Sequence, residues 1–238
     1  MRYVAIAILI VFGIAGTQQA IAADIPMKAP PPAPVLTPAA VVHNWTGFYV
    51  GINGGYGWAD HDWRYVGTTV TVNHKATGGL VGGTIGGNYQ IGNWVLGAEA
   101  DWDWAQINGS AACPNPLYSC KTEMRSIGTV RARAGYAWNN VLLYGTGGFA
   151  WGDMRVETTF LPGGAIPPSG TSTNGTSKTL TGWTAGAGIE FAFLTNWSAK
   201  LEYLYYDLGA DVFRVDFNIP VRASAKGNII RAGVNYHF

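Results

Sequence analysis

Asn228–Phe238 reads Asn-Ile-Ile-Arg-Ala-Gly-Val-Asn-Tyr-His-Phe, and this stretch decides between fold classes. Successive side chains of a strand point to opposite faces. Read as a strand, the even positions carry Asn, Ile, Ala, Val, Tyr and Phe, and the odd positions carry Ile, Arg, Gly, Asn and His. The apolar face with aromatic residues at its end is typical of a membrane β-barrel, where it meets lipid. The alternative is the last core strand of a soluble β-sandwich.

The composition favours sheets and disfavours two other classes. Charged residues make up 12% of the 238 residues, and the chain has 33 Gly, 10 Trp, 12 Tyr and 9 Phe. The formal net charge of +1 argues against nucleic acid as the main partner, which requires a basic face. Beyond the N-terminus no apolar run approaches the 18 or so residues that a membrane helix needs. Apolar residues instead alternate with Gly, Thr, Asn and single charges, as in strands.

The first 44 residues predict an exported protein with a leader and a tail. Met1–Ala22 has Arg2, an apolar stretch and a small-x-small site at Ala20-Ile21-Ala22, which together predict a cleaved signal peptide; a membrane anchor is the alternative. Residues 23–44 are rich in Pro, which favours an extended periplasmic tail acting as a plain linker, spacer or protein ligand. We expect the folded domain to span residues 45–238.

Eight period-2 segments follow the tail. We predict strands at Gly47–Ala59, Thr77–Ile91, Trp94–Trp104, Glu123–Trp138, Val141–Asp153, Thr179–Phe191, Trp197–Asp207 and the terminal stretch. Tight turns alternate with long polar connections at Asp60–Ala76, Ala105–Thr122, Met154–Lys178 and Leu208–Ser224. Short turns on one side and long loops on the other are typical of outer-membrane barrels. The sequence therefore predicts an all-β, eight-stranded, antiparallel up-and-down transmembrane β-barrel with both ends of the chain on the periplasmic side.

The predicted inner face carries charges of both signs. Eight strands leave an interior just wide enough to be filled by side chains. An unpaired charge there is costly, so we expect an ion-paired plug in which Asp101 and Asp103 pair with Arg131 and Arg133. The predicted lumen network is Glu99, Asp101, Asp103, Arg125, Arg131, Arg133, Glu190, Lys200, Glu202 and Arg231. The predicted interfacial aromatic residues are Trp45, Trp58, Trp94, Trp104, Trp138, Trp151, Trp197, Tyr236 and Phe238.

The remaining chemistry-bearing residues predict neither catalysis nor a metal site. Cys113 and Cys120 lie in a segment rich in turn formers, and an exported chain can oxidise such a pair, so we predict a loop disulfide. With no second cysteine pair and no His nearby, zinc is disfavoured. No Gly-x-Ser-x-Gly motif occurs, and we expect no catalytic residue and no enzyme activity.

Trp45-Thr46-Gly47-Phe48-Tyr49-Val50-Gly51, placed after a signal peptide and a Pro-rich tail, carries a family resemblance. Together with the Tyr-x-Phe terminus, it resembles small outer-membrane proteins of alphaproteobacteria, the outer-membrane immunogenic or porin-family barrels, which include haemin-binding members. The resemblance implies a monomeric OmpA-type barrel in a Gram-negative outer membrane. It also implies lipid and lipopolysaccharide as surroundings, periplasmic chaperones as partners, and Tyr236 and Phe238 as a signal for the barrel-assembly machinery.

We therefore predict a structural, surface-exposed barrel with a closed lumen. One alternative is a porin for small solutes whose lumen charges line a water path. The other is a haemin- or host-surface-binding protein acting through long loops, with His61, His74 and the Cys113–Cys120 loop as candidates. Imidazole and nearby aromatic residues can hold haem or a metal; two solvated loop histidines are the simpler interpretation. Haemin is the one cofactor considered.

Overall fold

The computed structural model describes residues 43–65, 71–112, 118–160, 173–215 and 219–238. Each strand pairs antiparallel with its sequence neighbours, and β1 also pairs with β8, which closes the sheet. A closed sheet gives every strand two neighbours, as lipid requires. This confirms the predicted eight-stranded up-and-down barrel. The strands are β1 (Gly47–Tyr65), β2 (Thr71–Ile91), β3 (Trp94–Ala112), β4 (Tyr118–Trp138), β5 (Val141–Phe160), β6 (Thr173–Ala192), β7 (Trp197–Val215) and β8 (Ile219–His237).

The predicted signal peptide, residues 1–22, and nearly all of the predicted tail lie outside the described residues. The described chain begins with four residues in irregular conformation before β1. Within the described part of the chain, no helix is long and apolar enough to cross a membrane.

Every strand extends further than predicted at the end opposite the tight turns. β1 continues from Ala59 to Tyr65, and β2 begins at Thr71 rather than Thr77. The segments predicted as long loops therefore consist largely of strand, and the prediction of long connections was wrong for the described parts of these segments. The side chains of the added residues still alternate between the two faces of the sheet. The apolar side chains, however, no longer lie on the face where the prediction expected them.

Along β8 the apolar side chains change from the outer face to the inner face. We call the end of the barrel with the tight turns the lower end and the opposite end the upper end. In the upper part of β8, Val221, Ala223 and Ala225 face inward and are buried, whereas Arg222 and Lys226 face outward and are exposed. In the lower part of the same strand the apolar residues face outward and the polar ones inward. Apolar-out segments require lipid, and apolar-in segments are those of a soluble barrel. The level of the reversal therefore marks where the wall leaves the membrane.

A belt of exposed apolar side chains surrounds the lower part of the barrel. On β1 the belt runs from Phe48 to Trp58, which are 76% and 39% exposed. Ten residues of a strand tilted by about 40° rise roughly 25 Å, the height of the apolar band of an outer-membrane barrel. Exposed aromatic residues occur at both edges of the belt, including Trp94, Trp138 and Phe238 at the lower edge and Trp58, Trp104 and Trp183 at the upper edge.

Three tyrosines of the inner wall lie over glycines of the neighbouring strand. In each case the two residues are direct register partners, so the ring covers the position where a side chain would stand. A Cβ added to any of these glycines would lie 2.5 Å or less from an atom of the tyrosine side chain. The pairs are Tyr49–Gly86, Tyr144–Gly188 and Tyr206–Gly227.

Replacing Gly188 by alanine is expected to lower the free energy of unfolding by about 1–3 kcal/mol through overpacking. The new Cβ would lie 2.5 Å from the Tyr144 ring and 2.9 Å from the Leu201 carbonyl oxygen. Gly145→Ala is the matched control, because its Cβ has no neighbour closer than 3.9 Å. Urea titrations of the refolded barrel would measure both variants. Equal stabilities would show that Tyr144 moves aside freely.

Candidate functional site

A buried network of ionised side chains fills the middle of the lumen. Nine of the ten residues predicted for this network lie there, and each of the nine is at most 4% exposed. Four cations face five carboxylates, and each of the three arginines pairs with more than one carboxylate. The cations are Arg131, Arg133, Lys200 and Arg231, and the carboxylates are Glu99, Asp101, Asp103, Glu190 and Glu202.

Arg231, on β8, lies within 3.0 Å of three carboxylates from two other strands, and Glu99 lies further away, at 3.8 Å. Its Nη2 lies 2.8 Å from Asp101 Oδ1 and 2.7 Å from Glu202 Oε2, and its Nη1 lies 2.9 Å from Asp103 Oδ2. Its Nε donates to Glu202 at 2.8 Å. The guanidinium is thereby surrounded by acceptors, which is the condition for a buried arginine to be tolerated.

Arg131, on β4, occupies an equivalent central position. Its Nη2 lies 2.5 Å from Glu99 Oε1 and 2.7 Å from Asp101 Oδ2, and its Nη1 lies 3.0 Å from Glu202 Oε1. Its Nε donates to the Thr129 hydroxyl at 3.0 Å. Arg131 and Arg231 thus share Asp101 and Glu202, and these shared carboxylates offset the repulsion between the two guanidinium groups.

Arg133 extends the network towards the end of the barrel with the tight turns. Its Nη2 lies 2.8 Å from Glu190 Oε2, and its Nη1 donates to the Tyr49 hydroxyl at 2.8 Å. The guanidinium carbon also lies 4.0 Å from the centroid of the Tyr144 ring, a cation–π distance. Tyr49 in turn donates to Glu99 at 2.8 Å, which joins the lower and central parts of the network.

Lys200 completes the set, with Nζ 3.0 Å from Glu99 Oε2 and 3.4 Å from the Thr84 hydroxyl. Thr84 donates to Asp101 at 2.9 Å, and Tyr144 donates to Glu202 at 3.1 Å. With Thr84 from β2 and Tyr144 from β5, each of the eight strands contributes a side chain. The network therefore ties the whole circumference together.

Two details of the predicted network are wrong. Asp103 pairs with Arg231 across the lumen and not with Arg133 on the next strand. Arg125 does not enter the lumen: its side chain is 54% exposed and its Nη2 lies 3.5 Å from Glu123. The register between β4 and β5 shifts between Met124 and Ser126, and this irregularity turns Arg125 to the outside.

Above the network the lumen is filled by apolar side chains, which the sequence analysis did not predict. The cluster has contributions from all eight strands, and its largest side chains, including Phe213 and Tyr206, are 0% exposed. Half of the residues in this cluster lie in segments predicted as loops. Other members are Ile107, Met124, Ile127, Met154, Val156, Leu180, Leu204, Leu208, Val221 and Ile229.

A second apolar layer lies below the network, around Trp45. Trp45 was predicted at the membrane interface, but it is 0% exposed and packs inside the barrel mouth, with its backbone N–H donating to Gln90 at 2.9 Å. Its ring lies 4.6 Å from His43 and 5.8 Å from His237. Burial lowers the pKa of the His43 imidazole, and His237 beside it acts in the same direction. Val95, Ala137, Leu142, Tyr144 and Ala192 complete this layer.

Ser198, His237 and Glu190 lie together at the lower end of the network, and sequence reasoning missed this group. The Ser198 hydroxyl lies 2.9 Å from His237 Nε2 and donates to Glu190 at 2.6 Å. Glu190 approaches the same Nε2, at 3.5 Å. In a hydrolytic triad the carboxylate holds the other ring nitrogen. The arrangement is therefore a hydrogen-bonded cluster, and only the inward parity of Ser198 and His237 could have indicated it.

The backbone places the two candidate haemin ligands opposite each other. His61, on β1, is the register partner of His74, on β2, so neither belongs to a connecting loop as predicted. Their side chains lie outside what the structure describes, and haemin binding stays a prediction. Cys120 is buried in β4 and Cys113 falls outside the described residues, so the disulfide also stays a prediction. Within the described ranges, no group of three or more His, Cys, Asp or Glu residues is arranged to hold a metal ion.

Comparison with known proteins gives matches along nearly the whole chain. The model of the family described as "Outer membrane protein beta-barrel domain" matches residues 33–238. A 31 kDa outer-membrane immunogenic protein of Brucella melitensis is 37% identical over 232 residues, covering 92% of this chain and 93% of the relative.

Two further relatives are similar at lower identity. A 25 kDa outer-membrane immunogenic protein of Brucella canis is 31% identical, covering 92% of this chain and 91% of the relative. A 22 kDa outer membrane protein of Rhizobium leguminosarum bv. viciae is 32% identical, covering 84% and 82%. All three relatives are named for the outer membrane.

Proposed function

This chain belongs to the outer membrane protein beta-barrel family, and from that premise we propose that it is a structural, surface-exposed barrel whose lumen does not conduct. It resides in the outer membrane of a Gram-negative bacterium, as its relatives do. The ends with tight turns then face the periplasm, and the strand extensions above the apolar belt face the medium. The family alone leaves open whether such a barrel is a pore, so the contents of the lumen carry the proposal.

The layering of the lumen supports closure. The charge network lies between an upper apolar layer that contains Phe213 and a lower one that contains Trp45. A hydrated ion would have to displace an ionised network and also enter two apolar layers, where it would lose its hydration. A porin for small solutes needs a continuous polar path, which neither apolar layer offers.

Single-channel recordings of the refolded chain in planar bilayers test this proposal. We expect no discrete conductance steps above leak, whereas a general-diffusion porin refolded and inserted in the same way should give them. Discrete, voltage-tolerant steps in the barrel alone would contradict a closed lumen. The porin alternative would then take its place, and Glu99→Gln and Arg131→Gln variants would test whether the network lines the path by changing ion selectivity.

A surface-antigen role is part of the proposal. The Brucella relatives are named as immunogenic, and in this chain the walls above the belt present charged side chains to the medium, including Lys121, Arg125 and Lys226. The proposal assigns no hydrolytic role to the cluster of Ser198, His237 and Glu190, because this cluster is buried and has no triad geometry.

We also propose the barrel-assembly machinery as a partner through the C-terminal residues. Tyr236 and Phe238 stack edge to face at 5.2 Å on the outer side of β8, and Tyr236 also packs 5.2 Å from Trp197. Phe238 is 74% exposed, so an insertion factor could contact it before the strand meets lipid. Periplasmic chaperones fit the same route, because the belt residues are exposed to water until insertion.

A further inference from the structure

Four residues before β1 close the lower mouth of the barrel. His43 and Trp45 are buried in the mouth, whereas Asn44 and Thr46 are exposed. This alternation continues the inward and outward positions of β1 below its first residue, although residues 43–46 are not part of the strand. We call these four residues the plug.

The plug is held mainly by ring contacts. The centroid of the His43 ring lies 4.6 Å from that of Trp45 and 5.4 Å from that of His237 on β8, and the Trp45 ring lies 5.8 Å from His237. The hydrogen bonds described between the plug and the strands all involve Gln90 of β2. Its side chain accepts from the Trp45 N–H at 2.9 Å, and its own N–H donates to the Thr46 hydroxyl at 3.0 Å. The plug therefore rests on packing and on one residue of the wall.

Two ring nitrogens of the plug are buried without a hydrogen-bond partner among the described residues. They are Nε2 of His43 and Nε1 of Trp45, in residues that are 8% and 0% exposed. A buried polar group without a partner is costly, and water would satisfy both nitrogens once the plug left the mouth. The seated plug therefore carries a standing cost, which lowers the free energy needed to release it.

Gly47 is placed to act as the hinge of the plug. Its φ is 141°, a positive value that glycine adopts readily and other residues rarely adopt. Register pairing begins at Gly47 towards β2 and at Tyr49 towards β8. Withdrawal of residues 43–46 therefore breaks no pair of the strand ladder, and the barrel can stay closed while the plug moves.

The charged groups of the lower lumen are already committed to one another. Glu190 would favour a charged His43, but both of its oxygens are engaged. Oε2 accepts from Arg133 at 2.8 Å, and Oε1 accepts from Ser198 at 2.6 Å and from Asn235 at 2.7 Å. On β2 the plug meets Gln90, which does not titrate. The ionisable groups that point into the lower lumen are Tyr49 on β1, Glu99 on β3, Arg133 on β4, Tyr144 on β5, Glu190 on β6, Lys200 on β7 and His237 on β8.

We propose that the plug is an acid-sensitive switch, in which protonation of His43 releases residues 43–46 from the lower mouth. A protonated His43 would lie buried beside His237, with no acceptor free among the described carboxylates, so the charged form is better placed in water. Release would expose the polar cluster above the plug to the periplasm. His237 contacts both rings of the plug and belongs to this cluster, because its Nε2 lies 2.9 Å from the Ser198 hydroxyl.

The direction of the pH dependence follows from the two positions of His43. Burial lowers the pKa of the seated imidazole, and His237 acts in the same direction. A released imidazole has the ordinary pKa of about 6.5. Above that pH both forms are neutral and the plug keeps its full stability. Below it the released form binds a proton that the seated form does not, so release is favoured by up to about tenfold per pH unit until the seated pKa is reached.

The test follows Trp45 in the full mature chain, labelled with 5-fluorotryptophan and reconstituted in phosphatidylcholine nanodiscs. The Trp45 fluorine resonance, assigned with a Trp45→Phe variant, reports exposure through its attenuation by a soluble paramagnetic agent. Between about pH 7.5 and about pH 5.0 we expect the accessible fraction to rise at least about 10-fold in wild type and less than about 2-fold in His43→Gln. Asn44→Gln is the matched control, because it introduces the same side chain at the adjacent, exposed residue, and it should keep the rise.

Three results would overturn this proposal. The first is no rise in wild type, which would make the plug a fixed layer. The second is an undiminished rise in His43→Gln, which would assign release to another group of the wall. If His43→Gln leaves Trp45 accessible at both pH values, His43→Phe decides, because phenylalanine keeps a ring and binds no proton. Exposure of Trp45 in that variant at about pH 5.0 is the third result.

This inference goes beyond the proposed function and can fail separately from it. Release of the plug leaves the charge network and the upper layer around Phe213 in place. Conductance recordings are therefore expected to stay without discrete steps at about pH 5.0, whether or not Trp45 becomes accessible.

Discussion

Replacing Arg231 by methionine is expected to lower the free energy of unfolding of the refolded barrel by about 3–5 kcal/mol. Methionine keeps much of the volume but leaves Asp101, Asp103 and Glu202 without the guanidinium that they share. The network would then have three cations against five carboxylates. Removing one partner of a buried charge pair is costly, because the remaining charges stay desolvated. Equilibrium urea unfolding in lipid vesicles, followed by tryptophan fluorescence, measures the change.

Arg125→Met is the control for the Arg231 variant. It makes the same chemical change at a side chain that is 54% exposed and contacts only Glu123 among the described ion pairs. Surface substitutions of this kind usually change stability by less than about 0.5 kcal/mol. A similarly small effect of the Arg231 variant would mean that water or proton uptake compensates the carboxylates in place of the guanidinium. The network would then not be the element that holds the strands together.

The transmembrane part of this fold could be predicted from the sequence because two signals coincide there. Side-chain parity separates outward Ile230 and Val234 from inward Arg231 and Asn235, and tight turns mark where strands end. Nine of the ten proposed network residues lie in such segments, and their inward direction follows from parity alone. Arg125 is the exception. A register irregularity next to it exchanges the inward and outward positions of the strand, and no pattern of residues indicates this irregularity.

The partners within the network could not be predicted in the same way. Adjacent strands suggested that Asp103 pairs with Arg133, yet Asp103 pairs with Arg231 on β8, 128 residues away in the chain. Across a narrow barrel a long side chain reaches the opposite wall, so contacts depend on height and side-chain length as much as on strand order. The spacing of strands in the sequence does not give the height of a residue in the barrel with the accuracy that a hydrogen bond requires.

The upper barrel could not be predicted from outward apolar side chains, because its outer face is not apolar. Above the belt the outer face is polar, as at Arg222 and Lys226, and small inward residues such as Ala223 and Ala225 give little apolar signal. A pattern in which the apolar face changes sides along one strand would predict these segments. The same reversal explains why an apolar layer, and not a polar mouth, covers the charge network at the end of the barrel opposite the tight turns.

Replacing Phe213 by alanine tests whether that upper layer is a packed core. The side chain is 0% exposed, lies within the upper apolar cluster, and its ring centre is 5.7 Å from Lys178 Nζ. Truncating a buried phenylalanine removes transfer free energy and leaves a cavity, so we expect a loss of about 3–5 kcal/mol in the free energy of unfolding. Urea titration of the vesicle-inserted barrel, with cleavage of the upper strands by an external protease as a second readout, measures this loss.

Val212→Ala is the control for Phe213→Ala, because Val212 is the preceding residue, faces outward and is 38% exposed. Its truncation should change stability by less than about 0.5 kcal/mol and leave protease resistance intact. If Phe213→Ala sensitised the upper strands to protease without shifting the main unfolding transition, the layer would be a separate cooperative unit resting on the membrane barrel. If it did neither, the upper strands would hold together by backbone pairing alone, and closure of the lumen would then depend on the charge network and the layer around Trp45.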